Sequence, residues 1–159
     1  MKKYILITLL CLLTLPSFAQ GKLIESSEEK RPAWIKRDVD RYDIMKFCQE
    51  STISLDNAKE KAFEELTNYI ANTVTTYLVS TNVTDTDVNV LRKRVEASDY
   101  LRNVSESTAI QTYWEHRLYK KQDLYKYYIL YNFNDTEKKK AALEINRKAS
   151  GTTSELDKL

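Results

Sequence analysis

The chain has 159 residues, 42% of them hydrophobic and 30% charged, and a formal net charge of +2; that suffices for one domain with a buried core and lies too near neutrality for a phosphate-tracking nucleic-acid binder. Its only glycines are Gly21 and Gly151, which excludes the standard phosphate-cradling loop, dinucleotide fingerprint and nucleophile elbow, all of which need glycine where the backbone bends sharply or meets a ligand. Of its one histidine and two cysteines, His116 and Cys48 alone remain once the leader described next is removed, short of the three or four ligands a zinc site needs.

At the start of the chain Lys2 and Lys3 precede an apolar run over residues 4–15, followed by Pro16 and by Ser17-Phe18-Ala19. A charged head, a short apolar stretch and small residues before a cut define a secretory signal peptide, 1–19, with Gln20 as the first mature residue. The run is shorter than the roughly 20 apolar residues of a membrane span, so no transmembrane segment is expected after cleavage. The small residues of a lipid-attachment site do not precede Cys11. Loss of Lys2 and Lys3 leaves basic and acidic residues equal, at 23 each. Cys48 is then alone and reads as a small buried hydrophobe rather than half of a disulfide.

Residues 20–30 read as a flexible polar leader, residues 31–150 as one domain and residues 151–159 as a flexible tail. Trp34 is expected to plug one end of the core. Residues 42–50 form a first strand, with Tyr42, Ile44 and Cys48 on one face and Met45 and Phe47 on the other. Residues 54–79 are the organising element. Ala58, Ala62, Leu66, Tyr69, Ile70, Thr73, Val74 and Tyr77 recur every three or four residues, while Lys59, Glu60, Glu64, Glu65, Asn68 and Asn72 take the opposite side. Ser54 is its N-cap, and its length, roughly 38 Å, covers a small sheet from end to end.

Residues 85–103 carry Val88, Leu91 and Val95 at helical spacing and are read as helix, with a strand through Val88 and Val90 as the alternative. Residues 104–119 alternate as a strand, 120–123 form a hairpin loop, and 124–133 form a third strand. On that strand Tyr125, Tyr127, Ile129, Tyr131 and Phe133 share one face, and Leu124, Tyr128 and Leu130 the other. Asn134 caps a short final helix with Ala141, Ala142 and Ile145 inward. The fold class is therefore α+β, a long amphipathic helix across a small, mainly antiparallel sheet, with a short C-terminal helix.

Arg31-Pro32-Ala33-Trp34-Ile35, the helix with Ala58, Ala62, Leu66, Ile70 and Val74, the triplet Tyr113-Trp114-Glu115 and the strand from Tyr127 to Tyr131 together resemble the Lpp-twenty lipoprotein family, which is related to the amino-terminal domain of flagellar assembly protein T. The resemblance implies a dodecin-like arrangement of helix on sheet and a role in the bacterial envelope. Family members often place very small residues at the end of the first strand, where this chain has Phe47, Cys48 and Gln49.

Cys48 and His116, helped by Glu115 or Asp123, are the one conceivable nucleophile and base set. Glu115 and His116 nevertheless point to opposite faces of an alternating strand, and no motif joins Cys48 to His116. No catalytic residue, metal ligand or cofactor is assigned. The tyrosines of the last two strands admit two readings. They are core and cross-strand pairs, or a contact surface of Tyr113, Tyr125, Tyr127 and Tyr131 on a sheet face the helix leaves open. The expected function is that of an exported, non-enzymatic module in the periplasm, in the cell envelope or secreted, which binds an envelope protein or itself through the open face or an edge strand. The alternative is an oligomeric binder of a small ligand or glycan on the tyrosine face. Lys120, Lys121 and the run 138–140 read as solvated surface, with peripheral contact to anionic envelope components as the alternative.

Overall fold

The computed structural model describes residues 21–36, 43–80, 87–107 and 110–149, with side chains up to residue 145. The expected signal peptide, Gln20, Tyr42, most of the polar connection after the long helix, Thr108 and the tail 151–159 lie outside these. In chain order the elements are β1 (Lys22–Ser26), α1 (Ala33–Lys36), β2 (Ile44–Ser51), α2 (Leu55–Ser80), α3 (Val88–Glu96), α4 (Asp99–Arg102), a 3-10 turn (Val104–Glu106), β3 (Ile110–Tyr119), β4 (Gln122–Asn132) and α5 (Asp135–Ala149). The strands form one antiparallel sheet in the order β1-β3-β4-β2. The fold is thus α+β, with the 26-residue α2 packed on the sheet and a C-terminal helix.

Ser54 starts α2 as expected: its hydroxyl accepts from the Asn57 amide at 3.1 Å. Just upstream, the buried Ser51 hydroxyl accepts from the Ile53 amide at 3.0 Å and donates to Asn57 Oδ1 at 2.9 Å, which fixes the turn out of β2. The buried stripe runs through Ala58, Ala62, Leu66 and Ile70, then broadens to Ala71, Val74, Thr75 and Leu78. Tyr69 and Tyr77 are only partly buried. The widening follows from position: α2 rests on β2 and β4 with one flank and takes α3 and α5 on others, so its second half must be apolar over a wider arc. Each large side chain buried there contributes about 1.5–3 kcal/mol.

Residues 88–96 and 99–102 are helical, capped by Asp87, whose carboxylate accepts from the Asn89 amide at 2.9 Å, and by Ser98. Leu91, Val95 and Leu101 join the main core. Asn134 caps α5 by accepting from the Glu137 amide at 3.0 Å, and Ala141, Ala142 and Ile145 close the core beside Tyr131 and Phe133. Among the described residues no helix is long and apolar enough to cross a membrane.

Several expectations are corrected. The leader 20–30 contains an edge strand: β1 pairs with β3, and its line continues where Ser27 and Trp114 exchange hydrogen bonds at 3.1 Å. A short, charged strand of this kind is held by its ladder and not by an apolar pattern, so periodicity does not announce it. Gly21 begins it with φ +73, and a Cβ there would lie 2.7 Å from the Leu118 carbonyl oxygen, a place only glycine fits. The strand expected at 104–119 starts at Ile110, after a 3-10 turn that buries Val104. The hairpin loop is only Lys120 and Lys121, at φ 50 and 68, with Gln122 and Asp123 already in β4. Trp34 belongs to a second, smaller cluster with Ile35, Tyr113 and Tyr128, on the side of the sheet away from α2.

Candidate functional site

Register assigns the sheet's two faces. Opposite Tyr127, Ile129 and Tyr131 on β4 stand Trp114, Thr112 and Ile110 on β3 and Gln49, Phe47 and Met45 on β2; this is the face under α2. The intervening residues Tyr113, Glu115 and Arg117, with Lys126, Tyr128, Cys48 and Glu50, form the second face. The expected tyrosine surface is not there. Tyr131 and Tyr113 are 0% and 1% exposed and Tyr127 is 7% exposed, while Tyr125 is half-buried and stacks on His116 at 4.4 Å. The physical reason is that both faces are covered. The long helix takes one, and residues 31–36 fold back over the other to place Ile35 beside Tyr113 and Tyr128. Tyr127 packs near Phe63 and Tyr131 stacks on Phe133 at 5.2 Å. The Tyr131 and Tyr100 hydroxyls pair at 3.1 Å, and burial pushes both phenols above their usual range.

The second face holds a cluster that the sequence did not single out. Glu115, 1% exposed, accepts from Arg31 Nη2 at 3.1 Å and from the Tyr128 hydroxyl at 2.7 Å on Oε1, and from Arg117 Nη2 at 2.8 Å on Oε2. Arg31 Nη2 also reaches the Tyr128 oxygen at 2.8 Å, its guanidinium lies 5.5 Å from that ring, and Arg117 Nη1 donates to the Gly21 carbonyl at 3.1 Å. Burial acts to raise the Glu115 carboxyl, but the hydrogen bonds from Arg117 and Tyr128 and the two positive charges outweigh it and hold it below the ordinary range. Burial first, then the bond to Glu115, pushes the Tyr128 phenol up. A carboxylate bonded to two guanidinium groups and a phenol acts as a clamp, joining the start of β1 and residue 31 to the sheet. The available signal was Glu115 and Arg117 at period two on a strand whose neighbour presents Tyr128 on the same face.

The residues weighed as nucleophile and base are separated. Cys48 pairs in register with Tyr128 and His116 with Tyr125, which puts them on opposite faces with β4 between their strands. Cys48 is exposed, not the buried hydrophobe expected, because residues 31–36 do not cover the outer strand at that point. Partial desolvation, opposed by the charge of Lys126, leaves its thiol above the usual value. His116 does meet Asp123, Nε2 to Oδ1 at 2.7 Å. Among the described residues no group of three His, Cys, Asp or Glu side chains is placed to hold a metal ion.

What remains accessible lies at the edges and ends. A groove of about 320 Å³ at the hairpin end of the second face is lined by Glu50, Thr52, Tyr119, Gln122, Leu124 and Lys126, with Lys126 and Glu50 ion-paired. Another, of about 350 Å³, lies where Tyr100 and Asn103 meet Glu137, Lys140 and Glu144 of α5. Edge strand β1 exposes Leu23 and Ile24 at 44% and 50%. Comparison of the chain with known protein families, with curated proteins and with solved structures finds no match.

Proposed function

We propose that this chain is an exported, non-enzymatic interaction module of the bacterial envelope that associates with a second copy, or with another envelope protein, by adding a strand to β1. The observation that carries it is the edge itself. Strand β1 ends the sheet, its Leu23 and Ile24 stand in solvent, and among the described residues no helix covers it. Export rests on the amino-terminal pattern of residues 1–19, and an envelope role also agrees with what the resemblance to the Lpp-twenty family implies. The small-ligand alternative loses its tyrosine face and keeps the grooves beside Tyr119 and Lys126 and beside Tyr100.

Native mass spectrometry of the chain from Gln20 onward separates these. A dimer that falls to monomer with Ile24→Lys supports strand addition, since a lysine on an edge opposes pairing. A monomer at all concentrations, with no envelope protein recovered by crosslinking in cells, refutes it. A retained non-covalent mass lost on Tyr119→Ala would favour the ligand reading instead.

A further inference from the structure

We propose that the hairpin end of the sheet is a docking surface for an anionic lipid bilayer. Lys120 and Lys121 form the two-residue turn between β3 and β4 and both have positive φ, at 50 and 68. Positive φ at both central positions is the type I′ geometry, for which Asn-Gly is favoured because a Cβ is strained in the left-handed region. A pair of lysines there gives up stability, and both ammonium groups stand exposed at the outermost point of the sheet. Strain kept at a defined position is a mark of function.

A second observation identifies the partner. Beside the turn, Leu118 and Tyr119 are 39% and 36% exposed, and the register sets Lys22 opposite Leu118 and Leu23 opposite Arg117. Alternation puts Leu118 and Lys22 on the face under α2 and Tyr119 and Leu23 on the second face, so the tip of the hairpin carries exposed apolar side chains on both faces, next to Lys22, Lys120 and Lys121. The Lys120 ammonium lies 5.2 Å from the Tyr119 ring centre, so charge and apolar surface are contiguous. The acidic neighbour Asp123 is engaged by His116. Apolar side chains that can enter the headgroup layer, ringed by lysines that meet its negative charge, match an anionic bilayer surface. A soluble acidic partner would use the charges and leave the leucines in water.

The inference shares Lys22 and Leu23 with the β1 edge used for strand addition, but its test acts on Leu118, Lys120 and Lys121, outside β1, so the two can hold or fail separately. The test is partition of the chain from Gln20 onward, which carries every described element, onto vesicles of phosphatidylglycerol mixed with phosphatidylcholine and onto vesicles of phosphatidylcholine alone. Lys120→Asn with Lys121→Gly removes both charges while supplying the residues the turn favours, so the variant should melt higher than the wild type. Its partition onto the anionic vesicles should fall roughly thirty-fold, at about fivefold for each lysine near the surface, with its oligomeric state unchanged. Leu118→Ser should weaken vesicle binding several-fold and leave retention on soluble dextran sulfate as it was. Equal binding of the lysine variant and the wild type would overturn the proposal. So would vesicle binding that ignores Leu118→Ser and is matched by dextran sulfate, which would reduce the surface to a simple polyanion contact.

Discussion

Replacing Glu115 by alanine removes the one anion between two guanidinium groups and a buried phenol. The carboxylate takes three bonds, from Arg31 at 3.1 Å, Arg117 at 2.8 Å and Tyr128 at 2.7 Å. Breaking a buried pair by deleting one partner typically costs about 3–5 kcal/mol, because the remaining charge is left unneutralised. Here the Arg31 and Arg117 side chains are 24% and 12% exposed, so both can recover some hydration, and the lower end, about 3 kcal/mol, is expected. For a domain of this size that is a fall of roughly 10 °C in Tm. Urea denaturation followed by circular dichroism measures the cost directly, and a loss under about 1 kcal/mol would refute the clamp. The pH dependence gives a second check. The Glu115 carboxyl sits below the ordinary carboxylate range in the folded chain, so the unfolded chain takes up the proton first. The stability it contributes is fully present above the unfolded value and is lost as pH falls through the lowered folded one. The stability difference between wild type and Glu115→Gln should accordingly be flat near neutrality and shrink as the solution is acidified. A difference that grows on acidification would show that the sign has been misread.

Leu66→Ala should cost about 2–5 kcal/mol by opening a cavity between α2 and the sheet, where the side chain is 0% exposed; a Tm within a degree of wild type would contradict the placement of the helix. Tyr131→Phe should cost about 1 kcal/mol by leaving the Tyr100 hydroxyl short of its partner. Adding Tyr100→Phe should then cost little more, a non-additivity that a double-mutant cycle reads out. Gly21→Ala forces a Cβ to within 2.7 Å of the Leu118 carbonyl and should speed hydrogen exchange at the amides of residues 22–26 while leaving the amides of α2 protected; unchanged exchange in β1 would refute the close approach.

The sequence by itself determined the elements whose side chains repeat with their own backbone. Residues 54–79 show the helical period and the Ser54 cap, β4 shows the two-residue period, and both were legible because burial on one side imposes that repeat. The α+β class follows from them. The sequence also excluded the standard glycine-dependent ligand loops. Only the tertiary structure decided that the tyrosines of both sheet faces are covered. The tyrosines of β4 admitted both a core and a surface reading, since phenol rings serve both, and it took residues 31–36 folding over Tyr113 and Tyr128 to cover them on the second face. The same holds for the pairing of Arg31 with Glu115 across 84 residues and for β1. Neither leaves a local period, because a long-range ion network and a polar edge strand are stabilised by partners that the chain brings near only when it folds.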